Sequence, residues 1–146
     1  QHRISLHRSP VVTLLIGIND IGLMMNTDRT PAQQEEMMGS FQEHYLELLT
    51  ILTKSSCSVI LMEPFVFSCP AFYENWKPLL QKMSQIIRTL SIQFRLPFLS
   101  LQKELDEEVR RYGYSAITTD GVHLTRQGQQ FLADRLYSCI AEHNYV

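Results

Sequence analysis

Charge of either sign is scarce and evenly mixed, with 13 Lys and Arg against 15 Asp and Glu and a net charge of -2. No basic face is offered to phosphates, so nucleic acid is not an expected partner, and no acidic block reads as a disordered tail. No apolar run approaches the roughly 20 residues that span a bilayer, so no transmembrane segment is expected. The opening QHRISLHRSP has no apolar core of the kind a secretion signal needs, which leaves the compartment open between cytoplasmic and secreted. Cysteine is rare: Cys57, Cys69 and Cys139 are an odd number at wide spacing, which suits neither a disulfide framework nor a zinc cluster. They read as ordinary buried or half-buried thiols. The histidines (His2, His7, His44, His123, His143) are scattered without carboxylates at ligand spacing, so no metal and no cofactor are expected. Repeats and low-complexity linkers are missing as well, and 146 residues with 45% hydrophobic content suit a single domain over 1–146.

What is there alternates between two periods. Val11-Val12-Thr13-Leu14-Leu15-Ile16 is β-branched and apolar, as a strand covered on both faces would be, and ends at Gly17. A polar connection leads to Thr30-Pro31-Ala32-Gln33, a capping threonine before a proline at the first helical position with a glutamine three residues on. Met37, Met38, Phe41, Tyr45, Leu48, Leu49 and Leu52 then recur at helical spacing. Ser58 to Met62 reads as a second strand, closed by Glu63-Pro64-Phe65 because proline cannot extend a ladder. Ala71 to Arg95 carries a second apolar stripe (Trp76, Leu80, Met83, Ile87, Leu90 and others) and reads as one long amphipathic helix. Pro97 to Ser100 is a weaker strand, followed by a charged helix through Leu101, Leu105 and Val109. Thr125 caps a last helix with Phe131, Leu132, Leu136 and Ile140 on one face. Strand and helix in alternation require crossover connections, so the expected fold is three-layer α/β with a parallel sheet, narrow at three strands.

Two segments could carry chemistry. Loops after strand C-termini line the ligand crevice of such sheets, which puts Gly17-Ile18-Asn19-Asp20 where a site would lie. The Asn19 amide could donate to a developing oxyanion without changing protonation, although Gly-x-Asn-Asp is also a good turn sequence. In Thr119-Asp120-Gly121-Val122-His123-Leu124 the acid and the imidazole are three residues apart, so one loop can hold both. A carboxylate on Nδ1-H fixes the tautomer and leaves Nε2 to take a proton. The bland alternative is an Asp-Gly turn followed by a surface histidine.

Taken together, LLIGIND, TTDGVHLTRQGQQFLADRLY and the intervening VILMEPF resemble the SGNH/GDSL hydrolases (esterases and lipases), over nearly the whole chain. The resemblance implies a flavodoxin-like α/β/α fold and a Ser-His-Asp triad. It casts Asp120 as the acid, His123 as the base and Asn19 as an oxyanion-hole donor. Gly17, where backbone and substrate would come close, and Asp20 and Glu63 flank the substrate, with Glu63 alternatively structural. The implied reaction is ester hydrolysis on short-chain or carbohydrate acetyl esters.

The resemblance stops at the nucleophile. The family's first strand ends in Gly-Asp-Ser, whereas Ser5, Ser9, Ser40, Ser58, Ser68 and Ser100 follow no Gly-Asp pair and none lies at a strand end in the right order. The expectation is therefore a chain lacking the family's N-terminal strands and nearly inactive as given. Its bare strand edge and apolar faces would be met by a missing N-terminal segment or a homo-oligomer. A catalytically inactive binding module on the same fold is the competing expectation.

Overall fold

A computed structural model of the chain describes residues 9–145. Three parallel strands, β1 (Val11–Leu14), β2 (Ser58–Met62) and β3 (Phe98–Leu99), form one sheet in the order β1-β2-β3. Val12 sits opposite Val59, Leu14 opposite Leu61 and Met62 opposite Leu99. Strands of this kind must be covered on both faces, and β2 shows how: its side chains alternate at period two. Val59 and Leu61 belong to one core, Ile60 and Met62 to the other.

The first core is closed by α1 (Ile18–Asn26), α2 (Pro31–Thr53) and α3 (Lys77–Phe94), through Ile21, Met24, Phe41, Leu49, Met83 and Ile87 among others. The second is closed by α4 (Gln102–Tyr112), the short α5 (Tyr114–Ile117) and α6 (Arg126–Glu142). The result is the expected three-layer α/β arrangement. Helix α2 starts as its sequence dictates: Thr30 accepts from the Gln33 backbone N–H at 3.2 Å while the Gln33 side chain accepts from the Thr30 N–H at 2.9 Å. Each fully buried leucine or isoleucine on these faces contributes about 1.5–3 kcal/mol of transfer free energy.

Three expectations need correcting. The connection after β1 is not a polar loop but helix α1, because Ile18, Ile21, Met24 and Met25 recur at helical spacing and pack into the first core. The segment from Ala71 is not helical in the α sense throughout: Ala71–Trp76 is a 3-10 turn that stacks Phe72, Tyr73 and Trp76 before α3 begins. Cys69 is exposed, since it lies in the loop beyond β2, whereas Cys57 is half-buried and Cys139 buried.

Candidate active site

The loop between α5 and α6 is fastened at its base and free at its tip. Thr118 is buried; its hydroxyl donates to the His123 carbonyl at 2.7 Å and accepts from the Gly121 N–H at 2.9 Å. The Thr119 N–H reaches the same carbonyl at 3.0 Å, and Thr118 bridges Leu124 antiparallel. Gly121 has φ +94, and a Cβ there would stand 2.6 Å from the Cys69 carbonyl oxygen and from the Tyr73 ring, so only glycine fits this turn. Its own carbonyl accepts from the Phe67 N–H at 2.9 Å, which ties the loop to the segment leaving β2.

Asp120 and His123 stand on that tip. Asp120 Oδ2 lies 2.6 Å from His123 Nδ1, while Oδ1 accepts from the backbone N–H groups of Val122 at 2.9 Å and His123 at 2.8 Å. The His123 backbone N–H first, then its side chain and the Val122 N–H, hold the Asp120 carboxyl down at about 2, against an ordinary 3.8. The carboxylate is therefore ionised and acceptor-only at neutral pH, so Nδ1 must carry the proton and Nε2 is the basic nitrogen. The imidazole is 76% exposed, which leaves Nε2 accessible.

Asn19 occupies the first turn of α1, directly after β1. It lines both cavities that His123 lines, one of about 460 Å³ and one of about 220 Å³. Asp120 lines the larger. The fold thus brings Asn19, Asp120 and His123 together from opposite ends of the chain.

The other three sequence candidates lie elsewhere. Gly17 has φ +125 and caps α1; a Cβ would meet Met83 Sδ at 2.4 Å, so its smallness serves the packing of α1 on α3. Asp20 faces a different cavity, beside α2. Glu63 turns to the start of α4, where Oε2 accepts from the Leu101 N–H at 2.6 Å, the Gln102 N–H at 3.0 Å and the Ser100 hydroxyl at 3.0 Å. A carboxylate at a helix N-terminus is favoured by the unpaired N–H groups and the dipole. Ser5, His2 and His7 lie outside the described residues.

Sequence reasoning missed Thr118, although the doubled threonine before Asp-Gly is a signal of the type that anchors turns. It also placed Trp76 only in a core stripe, whereas Trp76 and Tyr73 line the larger cavity with His123.

The model of the GDSL-like lipase/acylhydrolase family matches residues 1–131, and the chain belongs to that family. Among solved structures, a putative GDSL-like lipase from Parabacteroides merdae is 24% identical, with 90% of this chain and 60% of that one covered at a TM-score of 0.67. An acetyl xylan esterase, AlAXEase, is 22% identical over 89% of this chain and 66% of its own, at a TM-score of 0.71. An acetylxylan esterase from Geobacillus stearothermophilus is 18% identical over 91% and 60%, at 0.67. These likenesses establish the fold. The chain spans about 60–66% of the length of these neighbours. A comparison with curated proteins finds no match.

Proposed function

We propose that this chain supplies the acid, the base and one oxyanion donor of a serine ester hydrolase whose nucleophile lies on a segment outside it. The observation that carries this reading is the Asp120–His123 pair, bonded at 2.6 Å and sharing a cavity with Asn19. The serine attacks the acyl carbonyl as His123 Nε2 takes its proton. The Asn19 amide donates to the oxyanion of the tetrahedral intermediate, and the imidazolium, steadied by Asp120, returns the proton to the leaving alcohol. A water then repeats the sequence on the acyl-enzyme.

A nucleophile strand would fit beside β1. Among the described residues β1 pairs with β2 alone, Leu15 and Ile16 beyond it are exposed, and a cavity of about 570 Å³ opens beside Ile16, Phe41 and Tyr45. A further parallel strand there would end its C-terminus near His123 and cover apolar surface. The substrate is a short-chain ester, with acetyl groups on carbohydrate favoured by the two acetyl xylan esterases among the structural neighbours.

A second reading, a non-catalytic binding module, is favoured by one observation: no serine among the described residues lines either His123 cavity. The two readings separate on the intact protein, meaning the polypeptide that joins this chain to its nucleophile segment. The hydrolase reading requires turnover of p-nitrophenyl acetate that falls by several orders of magnitude in His123→Ala. Turnover that is nil, or indifferent to His123, contradicts it.

A further inference from the structure

The chain leaves β2 through a strap, Glu63 to Phe67, that has no regular structure although Pro64 to Phe67 are buried. Buried backbone outside helix and sheet must find its hydrogen-bond partners one at a time. Glu63 donates its N–H to the Leu99 carbonyl at 2.9 Å. Val66 gives both of its backbone groups to one side chain: its N–H donates to Gln102 Oε1 at 3.0 Å, and its carbonyl accepts from Gln102 Nε2 at 3.0 Å. The amide fits one way round, since its oxygen meets an N–H while its nitrogen meets that carbonyl and, at 3.1 Å, Asp106 Oδ1. Glu63 fixes Gln102 in turn, because its Oε2 accepts from the Gln102 backbone N–H at the start of α4. Strap and helix thus hold each other through two side chains.

Val66 stands between two residues that reach the site. On one side Phe65, with Pro64, lines the smaller cavity together with Asn19 and His123. On the other, the Phe67 N–H donates to the Gly121 carbonyl at 2.9 Å, next to Asp120. The bonds made by Thr118, Thr119 and Asp120 to residues 121–123 stay within the loop and fix its shape. Among the described residues, Phe67 to Gly121 is the one hydrogen bond that joins residues 119–123 to a distant part of the chain, so it fixes the loop's place. Gln102 lines neither His123 cavity; it faces a separate one of about 150 Å³ between α3 and α4.

Resting on the ester-hydrolase reading above, we infer that Gln102 is a positioning residue for His123. Its amide locks Val66, and Val66 carries the cavity wall at Phe65 and the anchor of the Asp120–His123 loop at Phe67. Removing the amide leaves two buried backbone groups unpaired and frees the strap at its middle. A misplacement on the order of 1 Å, even one caused far from the chemistry, costs about 100-fold in rate.

The test uses three forms of the intact protein: wild type, Gln102→Met and Gln102→Glu. Gln102→Met keeps the length of the side chain and removes its hydrogen bonds. Its kcat on p-nitrophenyl acetate, measured well below its thermal midpoint, should fall by about 10–100-fold. NMR should show the Asp120 carboxyl midpoint moving up from about 2 toward its ordinary 3.8 as the loop loosens. A side chain that served stability alone would lower the thermal midpoint and move neither. Gln102→Glu separates the hydrogen bonds from the bulk, and carries the test if Gln102→Met does not fold. A protonated glutamic acid accepts from the Val66 N–H and donates to its carbonyl, whereas the ionised form has no donor. Glu63, Glu74 and Asp106 near the position favour the protonated form, and Lys77 and Arg110 oppose it; burial already pushes the Asp106 carboxyl up, and the new one shares its surroundings. The ratio of its kcat to that of the wild type should therefore rise as pH falls from about 8 to about 5. Gln102→Met with kcat unchanged, or with the Asp120 midpoint still at about 2, overturns the positioning role and spares the hydrolase reading. A Gln102→Glu ratio that stays flat or drops as pH falls does the same. No turnover by the wild type overturns the hydrolase reading instead, and the Asp120 midpoint in Gln102→Met then decides alone whether Gln102 holds the loop.

Discussion

Asp120 holds His123 through both of its oxygens, Oδ2 against the ring Nδ1 at 2.6 Å and Oδ1 against the backbone N–H at 2.8 Å. The same carboxylate therefore fixes the loop's turn and the imidazole's tautomer. Asp120→Asn keeps the shape of the first contact but offers an amide where Nδ1-H needs an acceptor. In the intact protein this substitution should lower kcat by about 10²–10⁴-fold, with KM and the far-ultraviolet circular dichroism unchanged. A loss under tenfold would show that Asp120 serves the turn alone.

The pairing also predicts an acid titration. With its carboxyl held at about 2 rather than 3.8, Asp120 contributes stability that is fully present above its ordinary value and is lost as pH falls through about 2. Carboxyl carbon shifts followed by NMR should show Asp120 ionised at pH 3. A midpoint near 4 would mean that the loop does not hold these hydrogen bonds in solution.

On the proposed mechanism Asn19→Ala removes one donor to the developing oxyanion, and kcat falls by about 10²–10³-fold while KM moves little, as measured by steady-state kinetics. A rise in KM at constant kcat would make Asn19 a substrate-binding group only.

Much of this architecture is legible in the residues themselves. The capping box at Thr30 and the alternation of Val59, Ile60, Leu61 and Met62 state where a helix begins and that β2 is covered twice. Asn19, Asp120 and His123, which line one cavity, are singled out in the sequence by the joint resemblance of their short segments to one family, since each segment alone also reads as an ordinary turn. The illegible parts depend on distant neighbours. Gly17 and Asp20 look like one loop with Asn19, yet α1 rotates Asp20 toward α2 and leaves Gly17 against Met83. Glu63 caps α4 because the end of β2 passes beside Leu101 and Gln102, a contact across 38 and 39 residues that no local pattern announces.

Gly128 gives a prediction on stability. It lies in the first turn of α6, where a Cβ would come 2.4 Å from the Ile117 carbonyl oxygen, a backbone atom that cannot swing aside. Gly128→Ala should destabilise the fold by about 1–3 kcal/mol despite alanine's better helix propensity, seen as a lower midpoint in thermal denaturation. A raised midpoint would show that α5 and α6 do not approach this closely.

The central claim is that His123 serves a serine brought by a segment outside this chain. Its most direct test is the intact mass of the protein before and after a fluorophosphonate probe, which labels activated serines. A polypeptide well above 17.0 kDa that gains one adduct, and gains none as His123→Ala, is the predicted result. A chain of 17.0 kDa that gains an adduct would place the nucleophile among these 146 residues, and a longer one that gains none would contradict serine catalysis at this site.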